Sequence, residues 1–219
     1  MTPKSCAPFV LLLALGACNE TTDSGGGGGT PTRVLESVSG ADQVVAPGAT
    51  LPQPIVVRLT ENNLPVAGQP VQFSVGGGGV NPAVTNTGAD GQASTSWTVA
   101  NVPNTLNLLS VGAPSAQVIN IPSFAVATNA TLVDVQNNQF SPGDVTVPRN
   151  TTVVWIWKSS ARGHNFTPDP GTGNAAWQAA LVTTRDGPWL ATFQFTQAGT
   201  YTYSCTQHAG MVGRVIVSP

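Results

Sequence analysis

One short stretch near the C-terminus carries the residues best suited to chemistry. Cys205, His208 and Met211 follow one another at a spacing of three residues, and His164 lies upstream of them. A thiolate and two imidazoles with a weak axial thioether are the ligand set of a type 1 copper site, which transfers single electrons. Residue types and spacing together therefore predict one mononuclear copper site.

The inventory of possible metal ligands supports this prediction. The chain has 2 histidines, 3 cysteines and 2 methionines, and the predicted site uses both histidines, one cysteine and the methionine that is not residue 1. Taken singly, a loop histidine is usually solvated, and a buried cysteine or methionine usually fills a core. Zinc could bind such nitrogen and sulfur donors, but a thioether fits it poorly. No second copper site for catalysis can be assembled, so we predict a protein that is not an enzyme.

The elements that position these residues are predicted to be β-strands. Residues 128–219 contain short runs in which apolar and polar residues alternate, a pattern that gives a strand one buried face and one solvated face. About 90 residues are enough for one small β-sandwich. The predicted strands are 131–135, 144–147, 152–157, 191–195, 200–204 and 214–217.

This segment resembles the cupredoxins, especially those of the plastocyanin and amicyanin type. The matching residues are Phe140-Ser141-Pro142, Val153-Val154-Trp155, His164-Asn165, the run from Gly199 to Cys205, and the runs from His208 to Met211 and from Gly213 to Val217. The resemblance implies a Greek-key β-sandwich in which His164 is the upstream nitrogen ligand and Cys205 the thiolate. It further implies that His208 is the imidazole at the solvent edge and Met211 the axial sulfur.

The same resemblance implies a supporting role for Asn165, which would link the histidine strand to the ligand loop by hydrogen bonds near Thr206. Residues 168–188 depart from the compact members of the family. This segment is interpreted either as a lid or as a docking surface near the copper. For Trp177 and for the following Trp189, the sequence leaves two roles open, burial in the core and contact with a partner.

A second β-sandwich is predicted over residues 33–127. Its alternating runs, such as 54–60, 70–75 and 92–99, are separated by turn residues, and Trp97 is a candidate core residue. The segment resembles bacterial Ig-like domains of the Big-1 type in invasin-like adhesins, through Pro47-Gly48, the run 64–73 and the run 87–93. It contains no His or Cys. Asp42, Glu61 and Asp90 are interpreted as solvated loop charges, and the domain as a spacer or interaction module.

The N-terminal segment is predicted to be an export signal. Residues 1–17 combine Lys4 with an apolar run over 7–15, which is much shorter than the ~20 residues that span a bilayer, so no transmembrane helix is predicted. Leu15-Gly16-Ala17-Cys18 resembles the bacterial lipobox, which implies lipidation of Cys18. The alternative is ordinary cleavage near Ala17, with a free thiol left behind. Residues 18–32, with five consecutive glycines, form a predicted flexible tether.

Charge excludes nucleic acid as a partner, because Lys+Arg is 8 against Asp+Glu 10 and phosphate binding needs a concentrated basic surface.

The leading hypothesis is a lipid-anchored copper protein that passes single electrons to a redox partner in the periplasm or at the cell surface. Asn19 after the lipobox cysteine implies the outer membrane in enterobacterial lipoproteins. The alternatives are a copper capture or delivery protein, and a surface adhesion protein with an incidental copper site.

Overall fold

The computed structural model describes residues 33–219, nearly all of which lie in β-strands or in the turns between them. The predicted signal peptide and tether, including Cys18, lie outside the described residues. The all-β prediction is confirmed, and the described residues contain one short helix, α1 (Ala175–Gln178). No helix within this range has the length and apolar character needed to cross a membrane.

The first ten strands form a β-sandwich of two five-stranded sheets. They are β1 (Arg33–Ser39), β2 (Gln43–Val45), β3 (Ile55–Glu61), β4 (Leu64–Pro65), β5 (Pro70–Val75), β6 (Gly79–Asn81), β7 (Val84–Asn86), β8 (Gln92–Thr98), β9 (Thr105–Gly112) and β10 (Ile119–Ala125). One sheet has the order β1-β3-β8-β6 with β4 beside β3, and the other has the order β2-β10-β9-β5-β7.

Alternation of side chains builds the core of this first sandwich. In β3, Ile55, Val57 and Leu59 are buried while the residues between them are partly exposed. The inward-facing residues of both sheets meet in one apolar cluster that includes Trp97 and Phe73. Period-two strands with one apolar face are thus sufficient to explain the sandwich.

The remaining strands form a second β-sandwich. They are β11 (Thr131–Gln136), β12 (Gln139–Ser141), β13 (Asp144–Val147), β14 (Thr151–Trp157), β15 (His164–Pro168), β16 (Val182–Arg185), β17 (Trp189–Phe195), β18 (Gly199–Ser204) and β19 (Val212–Val217). Its sheets have the orders β12-β11-β14-β17 and β13-β19-β18-β15-β16.

An aromatic cluster fills the second sandwich. The Trp155 ring stacks on Phe166 with ring centroids 4.6 Å apart and meets the edge of Tyr203 at 5.6 Å. Trp177 is fully buried in the same core, whereas Trp189 is partly exposed and lies under the Arg185 guanidinium at 4.0 Å. Residues 168–188 therefore supply one core tryptophan, and their strand β16 pairs with β15.

An apolar cluster also joins the two sandwiches, and the described residues 33–219 belong to one compact unit. Phe124 and Val126 from the end of the first sandwich pack with Val154 and Ile156 of β14. Strand β14 is consequently buried on both faces from its third residue onward. The alternating pattern predicts that one face of the sheet containing β14 is exposed to solvent. In the structure, the first sandwich covers that face at β14.

Candidate metal centre

The strands of the second sandwich place the predicted ligands at one end of that sandwich. His164 is the first residue of β15, and Cys205 directly follows the last residue of β18. These two strands pair through Thr167 and Ser204, so the two ligands lie at neighbouring strand ends. His208 and Met211 lie on the loop that connects β18 to β19.

The donor atoms converge on a single point. The Cys205 Sγ atom lies 3.9 Å from His164 Nδ1 and 3.5 Å from His208 Nδ1, and the three ligand atoms all lie within 4.8 Å of one another. Donor atoms bound at about 2.0–2.3 Å to one ion lie roughly 3–4 Å apart, so the spacing suits one metal ion. One thiol and two imidazoles are the strong donors of a blue-copper site, in which a weak axial thioether completes the set.

Backbone hydrogen bonds close the ligand loop. The Cys205 amide donates to the Met211 carbonyl at 2.9 Å, and the Met211 amide donates to the His208 carbonyl at 3.2 Å. Gly210, with φ +80°, provides the positive backbone angle that such a tight loop needs. Met211 is thereby buried in the same apolar core as Cys205.

Asn165 connects the histidine strand to this loop. Its side-chain amide donates to Thr206 Oγ1 at 2.6 Å, and the Thr206 amide donates back to Asn165 Oδ1 at 2.8 Å. The Asn165 backbone amide also donates to Cys205 Sγ at 3.4 Å, a contact that stabilises a thiolate. Thr184 of β16, which sequence analysis missed, accepts a further hydrogen bond from the Asn165 amide at 3.3 Å.

The two imidazoles differ in how deeply they are buried. His164 is 1% exposed, and the pKa of His164 is lowered by desolvation and by the neighbouring His208, against an opposing effect of Asp186. A lowered pKa favours the neutral imidazole, which is the form that binds a metal. His208 is only partly buried, and its neighbours Gln207, Ala209 and Gly210 are exposed. The edge of the His208 ring therefore faces the surface.

Comparison with known proteins agrees with this geometry. The family model of copper-binding proteins of the plastocyanin/azurin type matches residues 127–218. Amicyanin of Paracoccus denitrificans is 34% identical over 93 residues, which cover 42% of this chain and 68% of that protein. The chain belongs to this copper-binding family. Amicyanin of Paracoccus versutus is 31% identical and is covered over 67% of its length.

Solved structures of amicyanin variants are also similar to this cupredoxin. A reduced variant has a TM-score of 0.36 and 30% identity, and the match covers 42% of this chain and 86% of the variant. The cofactor of the cupredoxin domain is copper. Its ligand set is typical of a blue-copper centre and consists of His164, Cys205, His208 and Met211.

Two further carboxylates near the cupredoxin site carry no sequence signal. Asp186 Oδ1 accepts a hydrogen bond from the amide of Gly163, the residue before the ligand His164, at 2.8 Å. Asp42 of the first sandwich accepts hydrogen bonds from Ser159, in the loop that leads to His164. Sequence analysis interpreted Asp42 as a solvated loop charge, and this interpretation is wrong.

Proposed function

We propose that this protein is a lipid-anchored electron carrier that exchanges single electrons through the His208 edge, a more specific function than blue-copper electron transfer in general. The observation that carries the proposal is the convergence of two imidazole Nδ1 atoms and one thiol at the strand ends of a rigid sandwich. Bound copper supplies the one-electron couple between Cu(II) and Cu(I).

The chain contributes rigidity and exclusion of water. His164, Cys205 and Met211 are each at most 3% exposed, and hydrogen bonds through Asn165 hold the two ligand-bearing segments together. Ligands held in this way move little between oxidation states, which lowers the reorganisation that opposes electron transfer. Deep burial of three ligands also favours retention of the metal over its delivery to another protein.

The partly buried His208 is the proposed exit for the electron. The small side chain of Ala209 and the side-chain-free Gly210 leave its ring edge open, and Val212 adds an exposed apolar side chain beside the loop. A redox partner would dock on this surface.

Electron self-exchange between two copies of the protein tests this exit without a known partner. Ala209→Phe should slow self-exchange by on the order of tenfold, because blocking close approach at a cost of about 1.4 kcal/mol changes a rate by that factor. The rate is measured from NMR line broadening in mixtures of oxidised and reduced protein. The control Ala83→Phe, at an exposed alanine of the first sandwich, should leave the rate unchanged.

A copper delivery function predicts a different result. Reduced protein would then release Cu(I) readily to a competing chelator and exchange electrons slowly. An electron carrier retains copper in both oxidation states and reacts quickly with small redox mediators. Rapid loss of Cu(I) combined with unchanged self-exchange in Ala209→Phe would replace the proposed function with delivery.

Membrane attachment through Cys18 is the second part of the proposal, supported by the lipobox-like residues 15–18 and the glycine-rich tether. We expect Cys18→Ala to move the protein from the membrane fraction to the soluble fraction, because the lipid attachment atom is lost. Fractionation followed by mass analysis of the mature N-terminus measures this. A soluble unmodified protein with a free Cys18 thiol would contradict the anchor and favour ordinary signal cleavage.

The proposed location is the outer membrane, facing the periplasm or the cell surface, as Asn19 implies. In this arrangement the first sandwich is an Ig-like domain that stands between the tether and the copper domain. The tether and first sandwich would hold the copper site away from the lipid surface.

A further inference from the structure

A carboxylate of the first sandwich is tied to the copper domain. Asp42 lies in the turn between β1 and β2, and its Oδ1 atom accepts hydrogen bonds from both the amide and the hydroxyl of Ser159, each at 3.0 Å. The Asp42 amide donates to the Pro122 carbonyl at 2.8 Å. The carboxylate is therefore anchored on one sandwich and holds a residue of the other.

Ser159 lies in a short loop that leads to a copper ligand. The loop runs from the end of β14 to His164, the first residue of β15. It is braced by hydrogen bonds from the Gly187 amide to the Ala161 carbonyl at 2.9 Å and from the Gly163 amide to Asp186 at 2.8 Å. Because the loop is short and held by these hydrogen bonds, few of its residues can adjust. A displacement of Ser159 should therefore also displace His164.

The surrounding contacts keep this carboxylate in place. Ile156, three residues before Ser159, belongs to the apolar cluster that joins the sandwiches, and the partly buried Val44, two residues after Asp42, packs against this cluster. Both hydrogen bonds of Asp42 are partly buried, so water competes with them less than it does at an open surface. Hydrogen bonds to an ionised carboxylate are roughly twice as strong as neutral ones.

We propose that Asp42 is a positioning residue for the copper site, which it influences by fixing Ser159 and hence the loop that carries His164. The first sandwich is then part of the apparatus that sets the copper geometry, as well as a spacer. This inference rests on the proposed function only in taking His164 as a copper ligand.

Two substitutions at Asp42 distinguish the effect of losing the carboxylate from the effect of straining the backbone. Asp42 has φ +60°, an angle that glycine adopts freely and asparagine tolerates. Asp42→Gly removes both hydrogen bonds without backbone strain, whereas Asp42→Asn keeps a neutral oxygen acceptor, so its effect should be clearly smaller than that of Asp42→Gly. Ser159→Ala removes one of the two hydrogen bonds from the other side and should produce a smaller change in the same direction.

The full chain is measured both without metal and loaded with copper. In metal-free Asp42→Gly, we expect hydrogen exchange at the Ala161 and Gly163 amides to become about tenfold faster, which corresponds to the loss of a hydrogen bond to a charged group. In the copper-loaded variant, the copper EPR splitting should shift and copper loss to excess chelator should be about tenfold faster. Asp90→Ala is the matched control, because within residues 33–219 the Asp90 carboxylate accepts just a local hydrogen bond from the Gln92 amide, and it should change none of these quantities.

The outcomes are distinguishable. An Asp42→Gly protein that melts at a lower temperature but keeps the loop exchange rates, the EPR splitting and the rate of copper loss would overturn the inference, leaving Asp42 as a link between the sandwiches. Asp42→Asn behaving as Asp42→Gly would overturn it as well. If the unmodified protein binds no copper, the proposed function fails, while the metal-free exchange rates still decide whether Asp42 positions the loop.

Discussion

Replacing Cys205 by serine is expected to abolish the thiolate-to-copper charge-transfer band of the copper-loaded protein. The band requires a thiolate ligand, and Cys205 is the thiol on which the two imidazole nitrogens converge, at 3.5 and 3.9 Å. Serine has nearly the same shape and can still accept the hydrogen bond from the Asn165 amide. The visible and EPR spectra of protein loaded with one equivalent of copper measure the effect.

Met211→Leu is the comparison that shows whether the loss is specific to the thiolate. The axial thioether bond is weak, so this variant should keep its colour while its reduction potential rises. Leucine has a volume close to that of methionine, and Met211 is buried in the core, so packing should change by less than about 1.5 kcal/mol. A copper-loaded unmodified protein without the charge-transfer band would contradict the type 1 assignment.

The strands and the candidate site could be predicted because their signals are local. A strand such as Ile55–Glu61 displays its inward face at every second residue, and the structure has this burial pattern. The loop ligands are also local, since Cys205, His208 and Met211 lie within seven residues. The identity of the family follows from the same residues and from the comparisons.

Contacts between distant residues could not be predicted in this way. Asp42 and Ser159 are 117 positions apart, and neither belongs to a pattern that points to the other. The cover over β14 did have a signal, because Val153–Trp157 is a continuous apolar run, which is typical of a strand buried on both faces. Alternation of apolar and polar residues breaks down in this strand, and both of its faces are buried from Val153 to Trp157.

The helix α1 and its buried tryptophan illustrate a different limit. Four residues are too few to show helical periodicity, and helices this short depend on tertiary packing and capping. Here Asn174 caps the helix by accepting a hydrogen bond from the Trp177 amide at 3.0 Å, and Trp177 packs among the rings of the core. The sequence alone is compatible with Trp177 as a core residue or as a contact residue, and the three-dimensional packing places it in the core.

Trp155→Ala is expected to cause the largest loss of stability among single core substitutions near the site. Trp155 is fully buried and contacts Phe166, two residues after His164, and Tyr203, two residues before Cys205. The substitution should lower the free energy of unfolding by about 3–5 kcal/mol through lost burial and the cavity left behind. For a chain of this size, the melting temperature should then fall by about 10 °C.

Denaturant titration of the metal-free protein measures this loss independently of the copper site. Trp189→Ala is the matched control, because that ring is 40% exposed and its stacking with Arg185 contributes only about 0.5–1 kcal/mol. Equal losses for the two tryptophans would contradict the assignment of Trp155 to the core that supports both ligand strands. If the expected difference is found, copper binding by Trp155→Ala should also weaken, because the rings that fix the His164 and Cys205 strands have lost their common contact.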